Sequence, residues 1–123
     1  MSRKIDDLSP EMQPIVTEWC KQMVAAGISF IITCTLRTLE EQTLLYAQGR
    51  TSPGLIVTWT LNSKHLTGNA FDFVIMSNGK PDWNMFHKDF WNKAVEIGKS
   101  LGLTQVIGKD GKVKEYAHLQ KGE

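Results

Sequence analysis

Two cysteines, Cys20 and Cys34, are all that the 123 residues contain, and they form no C-x-x-C pair. A zinc knuckle and a thioredoxin-type redox motif are thereby excluded. Cys20 falls in a helical apolar pattern and Cys34 in an alternating one, so both read as small buried hydrophobes, with a disulfide left open. No apolar stretch approaches the ~20 residues of a membrane span, so no membrane insertion is expected. The opening Met1-Ser2-Arg3-Lys4-Ile5-Asp6-Asp7 is not followed by a signal-peptide core, and synthesis in the cytosol without a Sec-type signal is expected. Charge of one sign is also lacking. A formal net charge of +1 points to neither nucleic acid nor an acidic membrane as partner. There is no P-loop, dinucleotide glycine fingerprint, H-E-x-x-H helix or nucleophile elbow. With 41 % hydrophobic and 22 % charged residues, and no repeat, linker or low-complexity segment, one globular domain over residues 1–123 is expected.

What is present mixes helix and strand patterns. Ser9-Pro10-Glu11 reads as a helix start. Met12, Ile15, Val16, Trp19, Cys20, Met23 and Val24 follow at helical spacing until Gly27. Ile28, Phe30, Ile32, Cys34 and Leu36 alternate with polar residues as in a half-buried strand. Thr38-Leu39-Glu40-Glu41 is a capping box for a helix running to about Gln48. Residues 50 to 64 read as a long loop, with a short extended piece at Ile56 to Trp59. Ala70 to Met76 is a second strand, and Asn78-Gly79 a tight turn. A third helix after Pro81-Asp82-Trp83-Asn84 carries the stripe Phe86, Phe90, Trp91, Ala94, Val95, Ile97, Gly98 and Leu101. Leu103 to Ile107 and Val113 to Gln120 read as two strands joined through Asp110-Gly111. Without regular β-α-β alternation, the expected class is α+β with a small antiparallel sheet and flanking helices.

Two segments carry chemistry. In Ser63-Lys64-His65-Leu66-Thr67-Gly68-Asn69-Ala70-Phe71-Asp72, a histidine precedes a glycine turn and an aspartate then interrupts an apolar strand. A carboxylate on that face needs a partner, and a metal ion is one. Arg37 or Lys64 in a plain salt bridge is another. The second segment is Glu115-Tyr116-Ala117-His118. Residues three apart on a strand point to opposite faces, so both serve one site only if Glu115 lies in the turn before the strand. Two imidazoles and one carboxylate would then hold zinc with a fourth position open, and Glu115 would handle the proton. Taken singly, His65 and His118 are ordinary surface or capping histidines, Glu115 is a charge among lysines, and His87 is exposed. Arg37, ending a buried strand, either braces an acid or offers its forked donors to a substrate carboxylate or an oxyanion.

At these residues the chain resembles a known family. The ten residues from Ser63 to Asp72 match the S-x-H-x-x-G-x-A-x-D signature of the D-alanyl-D-alanine carboxypeptidase (peptidase M15) group, and Glu115-x-x-His118 its second half. Leu36-Arg37-Thr38 with Gln42 resembles the family's arginine-containing stretch. The segment Asn78 to Asn84 resembles the short phage endolysins that act as L-alanyl-D-glutamate peptidases. The likeness runs from about Ile28 to Leu119. It implies a hedgehog/DD-peptidase-like fold, with Zn2+ held by His65, Asp72 and His118. It also implies Glu115 as base, Arg37 as catalytic and substrate-binding, and Gln42 and Ser63 as substrate contacts. The implied partner is the stem peptide of bacterial peptidoglycan, reached from the host cytoplasm after release to the wall, with the enzyme a monomer. The near alternative is a D-alanyl-D-alanine carboxypeptidase; further off are a weakly active zinc-bearing wall-binding module and a metal-free structural domain. The chain departs from the family at Gly108 to Lys112, where relatives commonly carry tryptophan, and at Gln120, where many carry glutamate.

Overall fold

A computed structural model of the chain describes residues 1–58 and 60–122. Helix α1 (Met12–Ala25) forms where Met12, Val16, Trp19 and Met23 line one face, and all four are buried. Gly27 ends it in the left-handed region at φ 73°. There the Ile28 N–H reaches the Met23 carbonyl (3.1 Å) and the Gly27 N–H that of Val24 (3.0 Å), which closes the helix in a Schellman motif. Its start differs from expectation. Ser9-Pro10-Glu11 forms a turn ahead of the helix, and the Ser9 hydroxyl bonds Asn69 Oδ1 (2.7 Å) instead of capping.

Strand β1 (Phe30–Cys34) and the capped helix α2 (Leu39–Ala47) follow. The Thr38 hydroxyl accepts the Glu41 N–H, and Glu41 accepts that of Thr38, as the capping box predicts. The loop after α2 has no strand at Ile56 to Thr58; Trp59 lies outside the described residues. Strand β2 (Ala70–Ser77) turns at Asn78-Gly79, with φ of 53° and 75°, into the short β3 (Lys80–Pro81). Such a two-residue turn needs left-handed backbone at both positions, which asparagine and glycine tolerate. Helix α3 (Lys88–Ser100) begins after the expected first stripe residue. Phe86 therefore lies outside it and is 82 % exposed, while Trp91, Ala94, Val95, Ile97 and Gly98 are buried. Strands β4 (Leu103–Thr104) and β5 (His118–Lys121) are shorter than expected, with only an isolated bridge between Ile107 and Val113.

The sheet is antiparallel throughout, in the order β1-β2-β5-β4 with β3 against β2. Phe71, Phe73 and Ile75 face α1 and α3. Trp19 sits with its ring centroid 5.0 Å from those of Phe30, Phe71 and Phe73, and its indole N–H bonds the Ala94 carbonyl (2.9 Å), joining the helices. This is the α+β class expected. Asp72, on the opposite face, is in register with Cys34 on one side and His118 on the other. Among the described residues no helix is long and apolar enough to cross a membrane.

Candidate metal centre

The two segments singled out in the sequence meet on the face of β2 away from the helices. Lys64–Thr67 form a 3-10 turn capped by the Ser63 hydroxyl, which accepts the His65 N–H (3.2 Å). Gly68 closes it at φ 71°; a side chain there would come within 2.7 Å of the Ser9 backbone nitrogen. The glycine of the signature is thus required twice, for its backbone angle and for the close approach of the N-terminal segment. The turn carries His65 back over β2. Glu115 precedes the turn at Tyr116-Ala117, and His118 is the first residue of β5.

One carboxylate oxygen joins the two imidazoles. Asp72 Oδ1 lies 3.1 Å from His65 Nε2 and 3.0 Å from His118 Nδ1. The far nitrogen of each ring is already used: His65 Nδ1–H donates to the Thr35 carbonyl (2.9 Å) and His118 Nε2–H to Gln120 Oε1 (3.0 Å). Both neutral rings therefore turn a lone pair toward an oxygen that also carries lone pairs. Three acceptors facing one point need a cation between them. The edge of a tetrahedron with ~2.1 Å bonds is about 3.4 Å, a few tenths longer than these separations. Burial would push the His65 imidazole down, but the hydrogen bond to Asp72, helped by Cys34 and Thr35, lifts it to about 10. Burial likewise works against the Asp72 carboxylate, and the two histidines outweigh it, holding its carboxyl well below the usual range. The donor set thus fits a divalent cation.

Other groups close around this point. Arg37 Nη2 is 3.6 Å from Asp72 Oδ2, an ion pair too long for a hydrogen bond, while its Nη1 donates to Gln42 Oε1 at 2.7 Å. Gln42 was expected to touch substrate. It is instead fully buried, and its amide N–H groups bond Thr58 Oγ1 (3.2 Å) and the Thr60 carbonyl (2.6 Å), so it ties Arg37 to the long loop. Lys64, weighed as a partner for Asp72, donates to the Lys121 carbonyl (2.7 Å). Glu115 Oε2 is 3.8 Å from His118 Nδ1. Burial pushes its carboxyl up, against the pull of His118, His65 and Arg37. His87 is exposed, as expected, and bonds Ser77.

Sequence reading missed Cys34 as a neighbour of the site. Its sulfur is 3.7 Å from His65 Nδ1 and 3.6 Å from Arg37 Nη2, and among the described residues it forms with His65 and Asp72 a group whose ligand atoms lie close enough to hold a metal ion, as Asp72, Glu115 and His118 also do. Only the register of β1 on β2 reveals this, and no local pattern encodes that register. The site opens into a groove of about 840 Å³. Ser63, Arg37, Glu115, Val57, Trp83 and Val106 are among the residues that line it.

Several solved structures share this framework. The L-Ala D-Glu endopeptidase ChiX of Serratia marcescens superposes with a TM-score of 0.66 at 21 % identity, over 95 % of this chain and 82 % of that one. VanYB in complex with D-alanine-D-alanine superposes at 0.69 and 16 % identity, over 94 % and 72 %. The vancomycin-resistance D,D-pentapeptidase VanY, solved with Zn(II), gives 0.67 and 15 %, over 94 % and 73 %. These likenesses establish the fold. The chain belongs to the phage L-alanyl-D-glutamate peptidase family, whose model matches residues 1–120. It is 37 % identical to the peptidoglycan L-alanyl-D-glutamate endopeptidase CwlK of Bacillus subtilis (strain 168), over 89 % of this chain and 73 % of that one. It is 31 % identical to the L-alanyl-D-glutamate peptidase of Escherichia phage T5, over 88 % and 75 %.

Proposed function

We propose that this protein is a zinc-dependent peptidoglycan endopeptidase that hydrolyses the L-alanyl-D-glutamate bond of the stem peptide. The observation that carries the reading is the meeting of His65 Nε2, His118 Nδ1 and Asp72 Oδ1, each imidazole backed by its own acceptor. These three residues would hold the ion, and bound zinc supplies Lewis acidity to the scissile carbonyl and to water. Gln120, which departs from the family pattern, fills the supporting role for His118 with its amide oxygen.

The chain's own groups do the rest. Glu115, with 43 % of its side chain exposed beside His118, takes the proton of the attacking water and returns it to the leaving amine. Its raised pKa brings it closer to the proton affinity such a shuttle requires. Arg37, clamped by Gln42, keeps guanidinium donors toward the groove for the oxyanion or a substrate carboxylate. The named activities of the family and of both curated relatives support the bond assigned.

The test is digestion of purified peptidoglycan by wild type and Glu115→Ala, with zinc content measured in each and the fragments identified by mass. The expected result is new D-glutamate amino termini from wild type, with a drop of roughly 10²–10⁴-fold in the variant at unchanged zinc. Release of free D-alanine would replace the endopeptidase reading by the carboxypeptidase one. Wall binding without cleavage by the zinc-loaded wild type would leave a binding module.

A further inference from the structure

One wall of the groove has no task in the chemistry above. It is the segment between β3 and α3, where Trp83 and Met85 line the groove. Trp83 is 58 % exposed, so its indole face is open to the groove it lines. The segment is nevertheless held firmly. The Asp82 carboxylate, itself buried, accepts the N–H groups of Phe86 (3.1 Å) and His87 (3.0 Å) and the indole N–H of Trp91 (3.2 Å). The Met85 N–H closes on the Asp82 carbonyl (3.0 Å), and Met85 is kept in the left-handed region at φ 55°. A non-glycine residue there is strained by roughly 1–2 kcal/mol, and such strain persists only where the surroundings impose it. Trp83 packs toward the buried Trp91, with ring centroids 6.5 Å apart and planes tilted by 38°. The result is an exposed aromatic face on a held segment that lines the same groove as His65, Asp72 and His118.

We propose that Trp83 is a stacking platform for a sugar ring of the peptidoglycan glycan strand. This rests on the function proposed above. In peptidoglycan the stem peptide is joined to muramic acid through its first residue, L-alanine. An enzyme that cuts the next bond therefore holds the pyranose two short links from its reacting centre, the alanyl residue and the lactyl ether, a span of about 7 Å at ~3.5 Å per link. On that side of the bond the peptide offers the groove a single methyl group. A pyranose instead presents an apolar C–H face that suits an indole, and hydroxyl groups that suit the amide of Asn62, which lines the same groove.

The experiment compares two soluble substrates, a muramyl stem peptide and the same peptide with an acetyl group in place of the sugar. They are given to zinc-loaded wild type, Trp83→Ala and Trp83→Phe, with thermal midpoints measured alongside. For Trp83→Ala we expect KM on the muramyl substrate to rise roughly tenfold, the scale of an aromatic contact of ~1.4 kcal/mol. Its kinetics on the acetyl substrate and its midpoint should stay near wild type, and Trp83→Phe should recover most of the muramyl KM. An equal loss on both substrates, or no loss on either, would overturn the platform. Wild type that cleaves neither substrate would remove the parent reading, and the platform with it; wild type that cleaves both equally well would overturn the platform alone.

Discussion

On one face of β2, Phe71, Phe73 and Ile75 are fully buried against Trp19 and the two long helices. On the other, Asp72 keeps 22 % of its side chain exposed and draws two histidines from distant segments onto one oxygen. The first face is held by area and shape, which many apolar sequences supply. The second is held by a few directed bonds, each with a single replacement at most. Stability and function can therefore be damaged separately, even though neighbouring residues of one strand carry them.

The largest separation should come from Trp19→Ala. It removes the indole that touches three aromatic rings and bridges to the Ala94 carbonyl. We expect a loss of about 3–5 kcal/mol in unfolding free energy, read by denaturant titration. In the fraction still folded, zinc affinity should be unchanged; a parallel loss of affinity would mean that the two faces are coupled.

The converse changes leave the core alone. Gln42→Leu removes the acceptor of Arg37 and the link to Thr58 and Thr60. A hydrogen bond to a charged group is worth about 1.5–3 kcal/mol, so kcat/KM should fall at least tenfold. Zinc content should hold, and Gln42→Glu, which keeps the acceptor, should recover part of the loss. Gln120→Ala strips His118 of its backing oxygen. Zinc affinity should fall about 10–100-fold, measured by competition with a chelator, and Gln120→Glu should restore it. Unchanged affinity in Gln120→Ala would show that His118 needs no support.

The same contrast governs what could be read in the sequence. The core face was legible because its signal is periodic and local: Trp19, Phe71, Phe73 and Trp91 lie where helix and strand spacing put them. Element ends were less so. Ser9 was drawn to Asn69 by a tertiary bond, β4 ends at Thr104, and β5 starts only at His118 because Tyr116-Ala117 turn ahead of it. That shortening leaves Glu115 outside the strand, the condition under which it can share a site with His118. Residue chemistry singled out His65, Asp72, Glu115 and His118, and the resemblance gave them their expected roles. It could not supply Cys34 opposite Asp72, nor the burial of Gln42, because both depend on pairings between residues far apart in the chain.

Asp82 tests the comparison at its smallest scale, since it centres a directed cluster that serves a groove wall instead of the candidate metal centre. Burial works to raise its carboxyl, but the N–H groups of His87, Trp91 and Phe86 outweigh that and set it below the ordinary 3.8. A carboxyl whose pKa is depressed by folding adds stability above its unfolded pKa and loses that contribution as pH falls through the folded value. Wild type should therefore lose thermal stability relative to Asp82→Asn as pH drops from about 4 downward, and keep a constant margin above about pH 5. Asp72 titrates in both proteins, so its contribution cancels in the difference. The accompanying change in Trp83 fluorescence would report release of the groove wall. A margin that stays constant down to acid pH would mean that the bonds from Phe86, His87 and Trp91 follow the shape of the loop and do not impose it.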